Sequence, residues 1–172
     1  MNKLFELSNM GFKISWKLIS VGLFGYDEIP VLLNKEEIFE YLNHLLTDID
    51  EQTDDIIALI CEKDDCTRFD RFIKEFANKD YSNIDVQKRK WRAYLLKNLI
   101  GNINRDYVQG LLELMEFWSS TLNSNDCPLI FPQNNDKESA RNYFTQESYE
   151  LSLNRNKEWL KQEILNIIKL ES

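Results

Sequence analysis

Between residues 111 and 122 the apolar side chains Leu111, Leu114, Met115, Trp118 and Leu122 recur at offsets of three and four. That spacing gathers them on one stripe of an α-helix but would scatter them over both faces of a strand. Similar recurrence runs through most of the chain, and no segment alternates convincingly at period two. Five glycines and three prolines in 172 residues leave long stretches uninterrupted. The pattern predicts an all-α fold: a single domain over residues 1–172, built as a bundle of about seven or eight helices.

Local signals place the elements. Ser15 can cap a helix that holds Gly22 and ends before Gly25. Asn34 and Glu37 have the spacing of a capping box ahead of Ile38, Tyr41, Leu42 and Leu45. Thr53 or Asp54 opens a short helix, and Thr67 with Asp70 opens another through Phe69, Phe72, Ile73 and Phe76. Asp85 is the expected cap of a long helix containing Trp91, Leu95 and Leu99 and stopped by Gly101; Asn104 begins the next. Pro128 and Pro132 make residues 125–136, "NDCPLIFPQNND", an extended loop, Asp136 with Ser139 starts a polar helical region, and a last helix begins near residue 157. Several starts lie close to twenty residues apart. That rhythm fits stacked antiparallel helix pairs, whether a compact bundle or a short helical-repeat array.

The stretch "GFKISWKLISVGL", residues 11–23, is the most leader-like part of the chain. Lys13 and Lys17 break its apolar run, and its longest uncharged segment is about half of the roughly 20 residues a membrane span needs. Apolar residues fall on two of its faces, so it reads as a core helix and no membrane contact is expected. Three cysteines without framework spacing suggest reduced thiols and a cytoplasmic location. A net charge of −8 works against binding nucleic acid or an anionic lipid surface.

Candidate chemistry is sparse. His44 is the only histidine, expected as a partly buried, hydrogen-bonded residue. Cys61 follows Ile60 on an apolar face and reads as a small core residue; Asp64 and Asp65 would raise the pKa of Cys66 and dull its reactivity. The densest feature is acidic: residues 48–70 hold nine acids and two bases. Asp48 and Asp50 resemble the start of a calcium loop, but the sixth position lacks glycine and Leu59 stands at the twelfth. Asp48, Asp50, Glu51, Asp54, Asp55, Asp64 and Asp65 are therefore taken as a partner-binding surface on two short connectors. The basic run "KRKWR", residues 88–92, is expected to pair with these acids or with another protein, with Trp91 in the core.

The segments "GFKISWKLISVGL", "KWRAYLL" at 90–96 and "LLELMEFWSS" at 111–120, followed by "CPLIFP", resemble a family of small bacterial proteins known only as a domain of unknown function. The resemblance implies an all-helical bacterial cytoplasmic protein with no assigned reaction. Families of this size and acidity are often found beside secreted toxins as their neutralising partners. The leading expectation is thus a non-enzymatic binding protein, an immunity protein that meets a basic toxin through its acidic surface, with no cofactor. Two alternatives stand beside it: a divalent-metal enzyme using Asp48, Asp50, Asp54 and Asp55, and a helical adaptor that docks a partner peptide in a groove.

Overall fold

The computed structural model describes residues 2–47, 53–61, 66–120, 127–129 and 142–172. Eight helices are present among them: α1 (Lys3–Asn9), α2 (Trp16–Phe24), α3 (Lys35–Thr47), α4 (Thr53–Cys61), α5 (Cys66–Lys79), α6 (Ile84–Asn102), α7 (Tyr107–Ser120) and α8 (Gln146–Leu170). The described residues contain no strand, only an isolated bridge between Tyr26 and Ile29. The chain is all-α. It gathers into two compact units, Met1–Trp91 with Glu171 and Arg92–Leu170 with Ser172.

In the first unit α2 packs on α5, and α3 packs on both α1 and α4. Pairing of α2 with α5, distant in sequence, makes this unit a bundle and not a run of consecutive hairpins. The caps explain where its helices start. The Leu18 amide donates to Ser15 Oγ at 3.1 Å, and Gly25 closes α2 with φ +75°. Asn34 and Glu37 form the reciprocal box: Glu37 N donates to Asn34 Oδ1 at 2.8 Å, and Asn34 N donates to a Glu37 oxygen at 3.2 Å. Lys3 also pairs with Glu37 at 2.8 Å, which fastens the start of α1 to the start of α3.

The core of this unit closes on Trp91, which is fully buried and donates its indole N–H to the Leu18 carbonyl at 2.9 Å. Gly22 is what lets the ring approach. A Cβ at Gly22 would stand 2.4 Å from Trp91 Cζ2 and 2.8 Å from Leu33 Cδ1. The Gly22 carbonyl accepts from the amides of Leu32 and Leu33, so the returning chain is fixed there too. The leader-like stretch is accordingly a packed helix with Leu18, Ile19 and Val21 buried. No helix among the described residues is long and apolar enough to cross a membrane.

The second unit is built on Leu96, Leu114, Trp118 and Leu129, with Trp159 and Leu160 packed against them. Trp118 donates its indole N–H to Asn156 Oδ1 at 2.7 Å, and Asn156 donates in turn to the Ser152 carbonyl at 2.8 Å. A buried asparagine in an apolar core is stable only with such partners.

Several expected boundaries differ. Helix α6 is capped by Asn83, which accepts from Asp85 N at 2.8 Å, while Asp85 falls inside the first turn. Gly101 does not stop α6, which runs to Asn102; its φ is not positive, so nothing there breaks the helical path. Asp106, not Asn104, caps α7 by accepting from Gln109 N at 2.9 Å. Helix α8 starts at Gln146, eleven residues before the expected start, because its first turns are polar and show little periodicity. Helix α1 was not expected: Leu4 and Leu7 are too few to show a period. The loop 125–136 lies outside the described residues except for 127–129, and the Asp136–Ser139 start lies outside them entirely.

Gly22→Ala is expected to lower stability by about 1–3 kcal/mol through overpacking against an indole that cannot shift without losing its hydrogen bond. Gly101→Ala, where a Cβ meets nothing within 4 Å, should be neutral or stabilise by up to about 1 kcal/mol. Urea unfolding followed by circular dichroism separates the two.

Candidate functional site

Four helices of the first unit line one cavity of about 410 Å³. The chain entering α2 gives Ile14 and Ser15, and α2 itself gives Trp16 and Ile19. Tyr41, Leu42 and Leu45 come from α3, Ile56 from α4, and Phe76 and Lys79 from the end of α5, followed by Asp80 and Tyr81. The i, i+1, i+4 spacing of Tyr41, Leu42 and Leu45 is what carries all three to one side of α3. The Trp16 and Phe76 rings meet at 4.9 Å, and the Lys79 ammonium stands 6.0 Å from the Phe76 ring centroid. The volume falls within the range of ligand pockets, and an apolar lining with a few polar groups is their usual makeup.

The polar groups divide by how well they are satisfied. Asp80 accepts from the amides of Lys17 and Ser82, each at 2.8 Å, and Ser15 Oγ lies 3.2 Å from Ser82 Oγ. Lys17 Nζ donates to the Ser82 carbonyl at 2.8 Å and to that of Asp80. Burial by itself would raise the Asp80 pKa, but hydrogen bonds from these amides and the Ser82 and Ser15 hydroxyls outweigh it and hold the carboxyl below the ordinary aspartate range. This network is a fastener between the start of α2 and the end of α5. Tyr41 differs. It is 8% exposed, and its ring packs on Phe5 at 5.3 Å. Burial pushes its hydroxyl above the ordinary tyrosine value.

The residues singled out from sequence are placed as follows. Asp48, Asp50, Glu51, Asp64 and Asp65 lie outside the described residues; Asp54 and Asp55 stand in the first turn of α4, and their side chains are not described. Ile56, the next residue in the chain, lines the cavity. Of the acids in that region, Asp70 is ion-paired to Lys35 at 2.9 Å. Within the basic run, two lysines have partners among the described residues. Lys88 pairs with Asp27 at 3.0 Å, with Glu28 and Asp85 at 3.7 and 3.8 Å. Lys90 is fully buried, donates to the Lys13 carbonyl and to Gln87 Oε1, and pairs with Glu171. Its ammonium is fully coordinated, although burial draws its pKa down.

Two single-residue expectations are corrected. His44 is exposed, edge-on to the Phe5 ring at 5.1 Å, and does not line the cavity. Cys61 is exposed at the last residue of α4 because the apolar stripe there runs through Ile56 and Leu59. No group of three or more His, Cys, Asp or Glu that could hold a metal ion occurs among the described residues. The cavity lining is mostly apolar side chains. Sequence reasoning missed the cavity because Asp80 and Lys17 are 63 positions apart; "DYSN" at 80–83 signals only a polar turn.

A family described as an uncharacterized protein conserved in bacteria, DUF2247, matches residues 5–164. No curated protein matches the chain, and no solved structure does.

Asp80→Ala should destabilise by about 1 kcal/mol at pH 7, the usual loss for a cap-like carboxylate. Because the folded pKa is depressed, that stabilisation is fully present above the unfolded value near 3.8 and fades as pH falls below it. The gap between wild type and variant in urea midpoints should therefore narrow from pH 7 to pH 3.

Proposed function

The chain belongs to the bacterial family DUF2247, and we propose that it acts as a non-enzymatic binding protein that seats an apolar side chain of a partner protein in the α2–α3–α5 cavity. The observation that carries this reading is the cavity itself, with Trp16, Leu45 and Phe76 as its apolar walls and a volume ample for a large side chain. Charge supplies the second half. The net charge of −8 and the acids at 48–55 and 62–65 favour a partner of opposite sign, and Ile56 ties this acidic stretch to the cavity wall. Long-range attraction would speed encounter, while the buried anchor would set how long the complex lasts.

A basic toxin neutralised by this protein in the bacterial cytoplasm is the partner to try first. Its chemistry meets both requirements: positive charge around a nucleic-acid-binding cleft and an apolar side chain at the rim. In this reading the carboxylates of Asp48, Asp50, Glu51, Asp54, Asp55, Asp64 and Asp65 steer the partner and hold no metal.

Affinity capture from the source bacterium, with cross-links read by mass spectrometry, tests the proposal. The captured protein should be basic, cross-link to α3 or α5, and be lost at least tenfold with Leu45→Arg, whose circular dichroism should match wild type. Undiminished capture by Leu45→Arg would reject the cavity as the docking site. The combined change Asp54→Asn, Asp55→Asn, Asp64→Asn and Asp65→Asn should slow association about tenfold at low salt and little at high salt. Growth rescue against a toxin encoded nearby is the cellular readout.

A further inference from the structure

We propose that Lys90, Gln87 and Lys13 form a receptor for a glutamate of an acidic peptide, filled in this structure by the chain's own Glu171, which such a peptide can displace. None of these residues lines the docking cavity, so the inference stands or falls separately from that reading.

Most of the receptor is built without the carboxylate. Lys90 has no accessible surface, and its ammonium donates to the Lys13 carbonyl at 2.6 Å and to Gln87 Oε1 at 2.9 Å. Gln87 stands three residues earlier on α6 and is itself buried; its amide nitrogen donates to the Asn83 carbonyl at 3.3 Å, which leaves the oxygen for Lys90. An ammonium has three protons, so one is left over, together with a positive charge that needs a counterpart. Glu171 supplies both: its Oε1 lies 2.5 Å from Lys90 Nζ, and its Oε2 accepts from the Lys13 amide at 3.3 Å. The Lys13 ammonium completes the contact by donating to the main-chain carbonyl of Glu171. Two carboxylate oxygens and one backbone carbonyl are read together, a pattern that a glutamate in a peptide presents and a small carboxylate does not. The two sides are held unequally. Lys90 and Gln87 are locked inside the first unit, whereas Glu171 follows the end of α8 between the exposed Leu170 and Ser172, and its contact with Lys13 is open to water. Exchange therefore lifts out one polar residue and gives up little apolar burial.

The probes are sodium acetate and a capped peptide with the sequence of residues 170–172, Leu-Glu-Ser; sodium chloride at equal ionic strength and the Leu-Gln-Ser peptide are the controls. In the full chain carrying Glu171→Ala, the melting temperature should fall by roughly 5–10 °C, the effect of a buried charge left without its partner. The glutamate peptide should restore at least half of that loss, and acetate should need about tenfold more for the same effect, since it lacks the contact with the Lys13 ammonium. The controls should restore little, and the double variant Lys90→Met with Glu171→Ala should melt alike in every solution. In wild type the Lys13 amide resonance should titrate with the glutamate peptide, its half-saturation about tenfold higher than in Glu171→Ala, because the tethered Glu171 competes at a high effective concentration. Equal potency of acetate and peptide overturns the assignment to a peptide. An unchanged melting temperature in Glu171→Ala, rescue no better than with chloride, or a wild-type Lys13 amide that does not respond to the peptide overturns the site. The wild-type titration needs no variant and decides alone if Glu171→Ala does not fold.

Discussion

Trp91 has no accessible surface, yet its indole N–H must be paired, and the carbonyl that pairs it belongs to Leu18 on α2. Burying a side chain of that size is worth on the order of 5 kcal/mol of transfer free energy. The gain is realised only if the ring can lie against α2, and that requires a residue without Cβ at Gly22. One small residue and one large one thus set the spacing between α2 and the first half of α6. The rest of the first unit follows from this fixed α2: its carbonyl at Gly22 anchors Leu32 and Leu33, and its first amides are held by Ser15 and Asp80. The second of these fastenings borders the cavity, since Ser15 and Asp80 both stand in its lining.

Charge in this protein is used in two different ways. Inside the first unit, Lys90 is surrounded by the Lys13 carbonyl, Gln87 and Glu171, and both Asp80 carboxylate oxygens accept backbone amides. Such groups hold the backbone in place, since a buried charge persists only when its partners are complete. The excess negative charge is concentrated along residues 48–70, where it acts at long range. Tyr41 stands apart from both uses, as a neutral polar group kept among apolar ones.

The all-α class and most elements were legible because helices announce themselves locally. The Ser15 cap, the Asn34–Glu37 box and the Gly25 terminus all depend on neighbours within one or two turns, and each appears as read. Errors arose where the local signal was weak or shared. Asn83 competed with Asp85, and Asp106 with Asn104, because all four can accept from a first-turn amide. Helix α8 begins in a polar segment that no periodicity marks, and Cys61 was assigned to a face that had already turned outward.

What residues near one another in the chain dictate is therefore present in the sequence: helix period, caps, net charge and the family likeness. The cavity depends instead on side chains brought together from Ile14 to Tyr81. Tyr41 looks like any other apolar-stripe residue until α2 and α5 close beside it. Hydrogen bonding is a property of final neighbours, and neighbours that distant in sequence are chosen by packing.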